Sequence, residues 1–239
     1  DSVNVALILS GGVGTRLGAD IPKQYLEVGG RPIISFCIET LSQSEWIDAI
    51  QIVAEDEWQA QIEEWLPFYD KKKKFQGFSL PGENRQFSIL HGLEDMLAYT
   101  GRDDMVLIHD AARPLLSGTQ IQACFEAAKG HDGVMPVLPM KDTVYYSRDG
   151  AVVSKLLERE KIFAGQAPEL FSVEKYYEAN QLLPADVLKQ ICGSTEPAIM
   201  AGLDIVMIPG EETNFKITTR TDLDNFKKIM DDRAEEIGV

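Results

Sequence analysis

The sequence predicts an α/β fold of three layers, with helices on both faces of a mostly parallel sheet and a β-hairpin arm leaving it. Three observations carry this reading. Short apolar runs alternate with segments of helical period, as strand–helix–strand crossovers require. The first run, residues 5–9, is apolar throughout and stops on Gly11-Gly12, which suits a central strand buried on both faces. From Asp142 the rhythm breaks into β-branched and aromatic residues on either side of Asp149-Gly150, a hairpin signature.

Taken in order, a helix follows Pro32, with Ile34, Cys37, Ile38 and Leu41 on one face and proline tolerated in its first turn. Residues 49–54 form a second strand and residues 56–66 a helix. The basic run Lys71 to Lys74 reads as a solvated loop before another strand. Phe87, Leu90, Leu93 and Leu97 mark a helix, residues 105–109 a strand, and residues 119–129 a helix with Ser117 as its N-cap. The arm pairs residues 143–146 with 151–153. Two such strands are not stable alone, so the arm, at about 142–160, is expected to pack on a second copy of the chain. Helices at 173–183 and 195–202, a strand at 204–208 and a closing helix carrying Leu223, Phe226, Met230 and Ile237 complete one unit over 1–239.

Composition narrows the function. The 239 residues hold 23 Lys+Arg against 38 Asp+Glu, a net charge of −15, and 44% are hydrophobic. A disordered or fibrous chain is excluded. No apolar run approaches the roughly 18 residues of a membrane span, and no secretory signal is visible at the start. Cys37, Cys124 and Cys192 are far apart and lack ligand spacing, so neither a disulfide framework nor a zinc site is expected. A cytoplasmic protein without membrane partners is the expectation, and nucleic-acid partners are not expected because so acidic a chain repels polyanions. Any anionic ligand must then be held by a few focused cations.

Such cations appear beside the first strand. Ser10, Gly11, Gly12 and Gly14 form a glycine-rich turn that brings backbone N–H groups against phosphate oxygens, followed by Arg16 and Lys23. The turn lacks the Gly-Lys-Ser/Thr ending of a P-loop, and Leu17 stands where a dinucleotide fingerprint needs Gly or Ala. A polyphosphate is the ligand this pattern suits. The segment His109-Asp-Ala-Ala-Arg-Pro114 leaves another strand at the same rim. Asp110 there is either a Mg²⁺ ligand among phosphates or the cap of a turn.

Together, residues 9–18, Pro22-Lys-Gln-Tyr-Leu26, 109–114, Asp142-Thr143 and Asn214-Phe-Lys-Ile-Thr218 resemble the 2-C-methyl-D-erythritol 4-phosphate cytidylyltransferase family, with its close relatives that use ribitol 5-phosphate. The motifs recur in the family's order along essentially the whole chain. The resemblance implies a Rossmann-like nucleotidyltransferase domain, a homodimer joined through the arms, and CTP with Mg²⁺ and a polyol phosphate as ligands. It implies that Ser10, Gly11, Gly12 and Gly14 surround CTP, that Arg16 and Lys23 hold its triphosphate, and that Gly82, Glu83 and Ser88 border the cytosine. By itself, the stretch around Glu83 also reads as a helix start. The resemblance further implies that Asp110 ligates Mg²⁺ on the acceptor side, that Arg113, Thr143 and Lys216 contact the acceptor or the reacting phosphates, and that Arg159 reaches a neighbouring subunit's acceptor phosphate.

The sequence departs from the family at two places. Ala167-Pro168-Glu169 replaces Thr-Pro-Gln, and Ser194-Thr-Glu-Pro197 stands for Thr-Asp-Glu-Ala. Both departures belong to the acceptor side. The implied chemistry, attack of one phosphate on another, is limited by anion repulsion, so Arg16, Lys23 and Lys216 are the expected catalytic residues and no nucleophile or base is needed. His109 is expected to pack at its strand end. Methylerythritol 4-phosphate is the expected acceptor and isoprenoid precursor synthesis the expected role. Ribitol 5-phosphate is the alternative, and a noncatalytic CTP sensor the competitor from another class.

Overall fold

A computed structural model of the chain describes residues 2–12, 18 and 20–238. Its centre is an eight-stranded sheet. Strand β1 (Asn4–Leu9) pairs in parallel with β4 (Ala49–Val53) and β6 (Met105–Asp110), and β4 pairs in parallel with β5 (Phe75–Ser79). On the other side of β6 comes β11 (Glu169–Ser172), antiparallel to both β6 and β7 (Gly133–Pro139). Strand β7 also pairs with the antiparallel β10 (Phe163–Gly165) and the parallel β12 (Ile205–Pro209). The expected mostly parallel sheet is therefore present, with two antiparallel insertions. Two short strands, β2 (Glu27–Val28) and β3 (Arg31–Pro32), form a separate ladder.

Alternation along β1 shows why three layers form. Ala6 and Ile8 point to one face, where they join Ile34, Cys37, Ile38 and Leu41 of α1 (Ile33–Gln43), Ile62 and Leu66 of α2 (Asp56–Tyr69), and Ile121 and Cys124 of α4 (Gly118–Ala127). Val5 and Leu7 point to the other, against Ile89, Leu93 and Met96 of α3 (Arg85–Met96), Val173 and Tyr176 of α5 (Val173–Gln181) and Ala198 of α7 (Glu196–Met200). Each buried aliphatic side chain of this kind contributes on the order of 1.5–3 kcal/mol. A short α6 (Ala185–Leu188) links α5 to α7. The last helix, α8 (Arg220–Glu236), buries Leu223 and Phe226 against Val28, Ile33, Leu115 and Ile217.

Several expectations shift in detail. Helix α3 turns Ile89, Gly92, Leu93 and Met96 to the core, leaving Leu97 exposed, because Gly92 lies directly on Leu7 and the polar Gln86 is buried against Tyr176 and Asn180. Ile237 lies beyond α8 and is exposed. In the hairpin, β8 (Tyr145–Tyr146) pairs with β9 (Lys155–Leu156), not with residues 151–153. Asp149 Oδ1 accepts from the N–H groups of Ala151 and Val152, and Ser147 donates to the Val152 carbonyl, so these residues belong to the turn. Gly150 adopts φ +74°, as the Asp-Gly signature requires. Ser117 caps α4 by accepting from Gln120 N–H at 3.0 Å, as its sequence position suggests. Among the described residues no helix is long and apolar enough to cross a membrane.

Candidate active site

The parallel strands end at one rim and are tied there by backbone bonds. Ser10 N–H donates to the Val53 carbonyl (2.9 Å), Ala54 N–H to Ser79 (3.0 Å) and Ala111 N–H to Leu9 (2.9 Å). Ligand sites of open α/β sheets lie at such a rim. A cleft of about 360 Å³ opens here, lined by Ser10, Gly11 and Gly12, by Lys23 and Gln24, by Gly82, Glu83, Asn84, Arg85 and Ser88, and by Asp110, Ala112 and Lys216.

The glycine turn is held from behind. A 3-10 turn, Lys23–Tyr25, follows Pro22, and its buried Gln24 donates to the carbonyls of Ser10 and Gly12, both at 2.8 Å. Tyr25 shares a hydrogen bond with the Ser10 hydroxyl, and its ring stacks on Trp58 with centroids 4.3 Å apart. One turn of chain thus presents Lys23 to the cleft while two side chains fasten the loop. Close approach explains the glycines: a Cβ on Gly11 would lie 2.8 Å from Pro81 Cβ, and one on Gly82 2.3 Å from Phe87 Cβ.

The Gly82 segment opens α3. Gly82 N–H donates to Ser88 Oγ at 2.9 Å, and the helix cap is Asn84, whose Oδ1 accepts from Phe87 N–H at 2.9 Å. Asn84 also donates to the carbonyls of Leu188 and Lys189. Glu83 takes no part in the cap; its carboxylate lies at the edge, 3.6 Å from Lys189 Nζ.

Asp110 is the centre of charge. Its Oδ1 accepts from Arg85 Nε at 3.1 Å and lies 3.9 Å from Lys216 Nζ, while Oδ2 accepts from Arg113 Nε at 3.2 Å. Burial alone would raise its pKa, but the charges of Arg85, Lys216 and Arg113 outweigh burial and hold the carboxyl well below the usual carboxylate range. Arg113 also donates to the Asn214 carbonyl (2.8 Å), and Ile217 N–H donates to Ala112 (2.8 Å), which fixes Lys216 beside the Asp110 segment.

The Asp110 carboxylate, expected to ligate Mg²⁺, is thus already paired with cations on both oxygens. Each carboxylate oxygen keeps further acceptor capacity, but the cations beside both oxygens disfavour a second positive centre there. Among the described residues no group of three or more His, Cys, Asp or Glu side chains could hold a metal. Asp110 fits a different task, that of gathering three cations at one point.

The two departures from the family pattern prove to be one feature. Glu169 on β11 is buried and accepts from the hydroxyls of Ser194 (2.7 Å) and Thr195. Ser194 Oγ in turn accepts from Arg85 Nη1 at 2.9 Å. Burial pushes the Glu169 carboxyl up, opposed by Arg85 and the two hydroxyls. The carboxylate gained on one segment thus faces the hydroxyls of the other, one side chain behind the cleft.

Of the residues singled out from sequence, Ser10, Gly11, Gly12, Lys23, Gly82, Glu83, Ser88, Asp110 and Lys216 meet at the cleft, with Arg113 behind Asp110. Gly14 and Arg16 lie outside the described residues. Thr143 and Arg159 are exposed and do not line the cleft; Arg159 Nη1 donates to the Lys141 carbonyl at 2.9 Å. His109 is buried at its strand end, as expected, with Nε2 2.9 Å from the Arg113 carbonyl. Sequence reasoning missed Arg85, Gln24 and Asn84. Arg85 carried a signal: a cation in the first turn of a helix opposes the helix dipole, so it needs a specific partner.

Comparison with known proteins agrees with this geometry. The sequence profile of the family described as "IspD: 2-C-methyl-D-erythritol 4-phosphate cytidylyltransferase" matches residues 4–232. The chain is 34% identical over 230 residues to a bifunctional IspD/IspF enzyme of Granulibacter bethesdensis, covering 94% of this chain but only 56% of that protein. It is 29% identical over 238 residues to a ribitol-5-phosphate cytidylyltransferase of Streptococcus agalactiae, covering 98% of each. The fold matches a 4-diphosphocytidyl-2C-methyl-D-erythritol synthase structure from Anaerococcus prevotii with a TM-score of 0.81 at 24% identity, covering 96% of both chains. The rim cleft and a match along nearly all its length therefore agree that this chain belongs to the IspD family of cytidylyltransferases.

Proposed function

We propose that the protein transfers the cytidylyl group of CTP to 2-C-methyl-D-erythritol 4-phosphate and releases pyrophosphate, a step in isoprenoid precursor synthesis. The observation that supports this most is the convergence of Arg85, Arg113 and Lys216 on Asp110 beside a glycine turn carrying Lys23. In a chain of net charge −15, so many cations at one rim serve a ligand with more than one anionic group.

In this reading an oxygen of the acceptor phosphate attacks the α-phosphorus of CTP. The bond from that phosphorus to the oxygen bridging to the β-phosphate breaks, and pyrophosphate leaves with the electron pair. The attacking oxygen is already ionised, so no general base is required. The backbone N–H groups of the turn bind the triphosphate. Lys23 and Arg16 take up charge on the α-phosphate and the leaving group, and Lys216 neutralises the incoming phosphate. Gly82, Glu83 and Ser88 border the base. Positioning and preorganised charge account for the rate enhancement, as is general for phosphoryl and nucleotidyl transfer. We also propose that the hairpin packs on a second copy, where Arg159 and Thr143 would serve the acceptor side, because Tyr145, Val152, Val153 and Leu156 are all exposed.

A second reading, ribitol 5-phosphate as acceptor, is favoured by the end-to-end likeness to the Streptococcus agalactiae protein. The test is pyrophosphate release from CTP with Mg²⁺ and each polyol phosphate in turn. The proposal expects turnover with 2-C-methyl-D-erythritol 4-phosphate. Turnover with ribitol 5-phosphate alone would replace the acceptor, and CTP binding without pyrophosphate from either would indicate a sensor.

A further inference from the structure

We infer that Arg85 is a positioning residue, which keeps the Lys216 ammonium available to the acceptor's phosphate by occupying the Asp110 oxygen that would otherwise neutralise it. The inference rests on the proposed function for the identity of the anion, and on geometry for the rest.

Arg85 and Lys216 address the same atom. Arg85 Nε is 3.1 Å from Asp110 Oδ1, a full charge-assisted hydrogen bond, whereas Lys216 Nζ stands off at 3.9 Å. Asp110 cannot turn away, because Arg113 holds Oδ2 at 3.2 Å, and water has little access to a carboxylate whose side chain is 7% exposed. Were Arg85 absent, Oδ1 would keep a charge with one candidate partner. Lys216, 36% exposed and facing the cleft, would then close to contact distance, and its charge would be spent on Asp110.

Arg85 is itself braced for this task. It stands at the first position of α3, where the helix dipole disfavours a cation, so its place depends on its partners. Its second arm donates to Ser194 Oγ at 2.9 Å, and Ser194 passes the bond to the buried Glu169. The chain of groups Glu169, Ser194, Arg85, Asp110 therefore runs from behind β11 to the cleft, and the guanidinium can span it because its N–H groups diverge.

The test is a double-mutant comparison of acceptor KM and CTP KM, using whichever polyol phosphate supports turnover. Arg85→Met is expected to raise the acceptor KM by about tenfold, the loss of one charge-assisted contact, and to leave the CTP KM unchanged. Adding Asp110→Asn, which frees Lys216 again, is expected to bring the acceptor KM back toward the wild-type value. A purely structural Arg85 would raise both KM values, and Asp110→Asn would add to the damage; either result overturns the inference. If Arg85→Met does not fold by its melting curve, Arg85→Lys takes its place, since an ammonium cannot reach Asp110 and Ser194 together. Calorimetric binding of inorganic phosphate, without CTP, gives the same comparison independently of turnover. Weaker phosphate binding in the Arg85 variant and recovery in the double variant support the inference even if no polyol phosphate is turned over. Turnover without that pattern would reject the inference and leave the proposed function standing.

Discussion

At the scale of single residues, charge placement decides the outcome. Lys23 lines the cleft beside the glycine turn, where its ammonium has most to do when charge develops in the transition state. Lys23→Ala is therefore expected to lower kcat by about 10²–10³ while changing the CTP dissociation constant far less, measured by steady-state kinetics alongside equilibrium binding. Asp110→Asn is expected to leave the Mg²⁺ concentration for half-maximal activity unchanged, because the carboxylate is already claimed by Arg85 and Arg113. His109 sets a pH dependence. Burial pushes its pKa down to about 4, opposed by the hydrogen bond with the Arg113 carbonyl and by Asp110 and reinforced by the charges of Arg113 and Arg85, so the folded protein keeps it neutral. Its contribution is fully present above about pH 6.5, the unfolded value, and is lost as pH falls from there to about 4, in total roughly 3 kcal/mol. His109→Gln is expected to flatten the melting temperature against pH across that window; an unchanged slope would assign the acid sensitivity elsewhere.

At the scale of elements, the 3-10 turn at Lys23–Tyr25 is the part whose removal is most informative. Gln24→Leu deletes two hydrogen bonds, leaving the Ser10 carbonyl with only the Tyr25 hydroxyl and the Gly12 carbonyl to find water, a cost of about 1–3 kcal/mol. The CTP KM is expected to rise more than the acceptor KM, and the stacking of Tyr25 on Trp58 offers a fluorescence readout of the same loop. The sequence made the central elements legible because residues 5–9 and 105–108 are apolar on both faces, and residues 49–53 are so except for Gln51, which is buried with Ser79 and Tyr99 as partners, a pattern that a covered parallel sheet rewards. Strand β11 was not legible: four residues that begin with a buried carboxylate carry no strand periodicity, and tertiary pairing with β6 and β7 makes them a strand. The face of α3 was misread for a related reason, since a glycine and a glutamine occupy core positions there. Within the site, the glycine turn, Lys23 and Asp110 could be named from residue type and spacing, and Lys216 only from the family resemblance. The grip of Arg85 on Asp110 is a contact between segments 25 residues apart, which no local pattern encodes.

At the scale of the whole molecule, an acidic surface surrounds a cationic rim, so the ligand must meet the protein at one place. The hairpin is the other feature at this scale. If the hairpin packs on a second copy as proposed, the wild type sediments as a dimer and Val153→Lys with Leu156→Asp as a monomer in analytical ultracentrifugation; a variant sedimenting like the wild type would remove the arm from any interface. The rim cleft is proposed to receive a nucleotide triphosphate against Ser10 to Gly12 and Lys23. A crystal structure with CTP bound tests this most directly. The phosphates are expected within hydrogen-bond distance of the Gly11 and Gly12 N–H groups and of Lys23, with Asp110 still paired to Arg85 and Arg113. A nucleotide seated away from this rim, or Asp110 swung out of its cations to hold a metal, would contradict it.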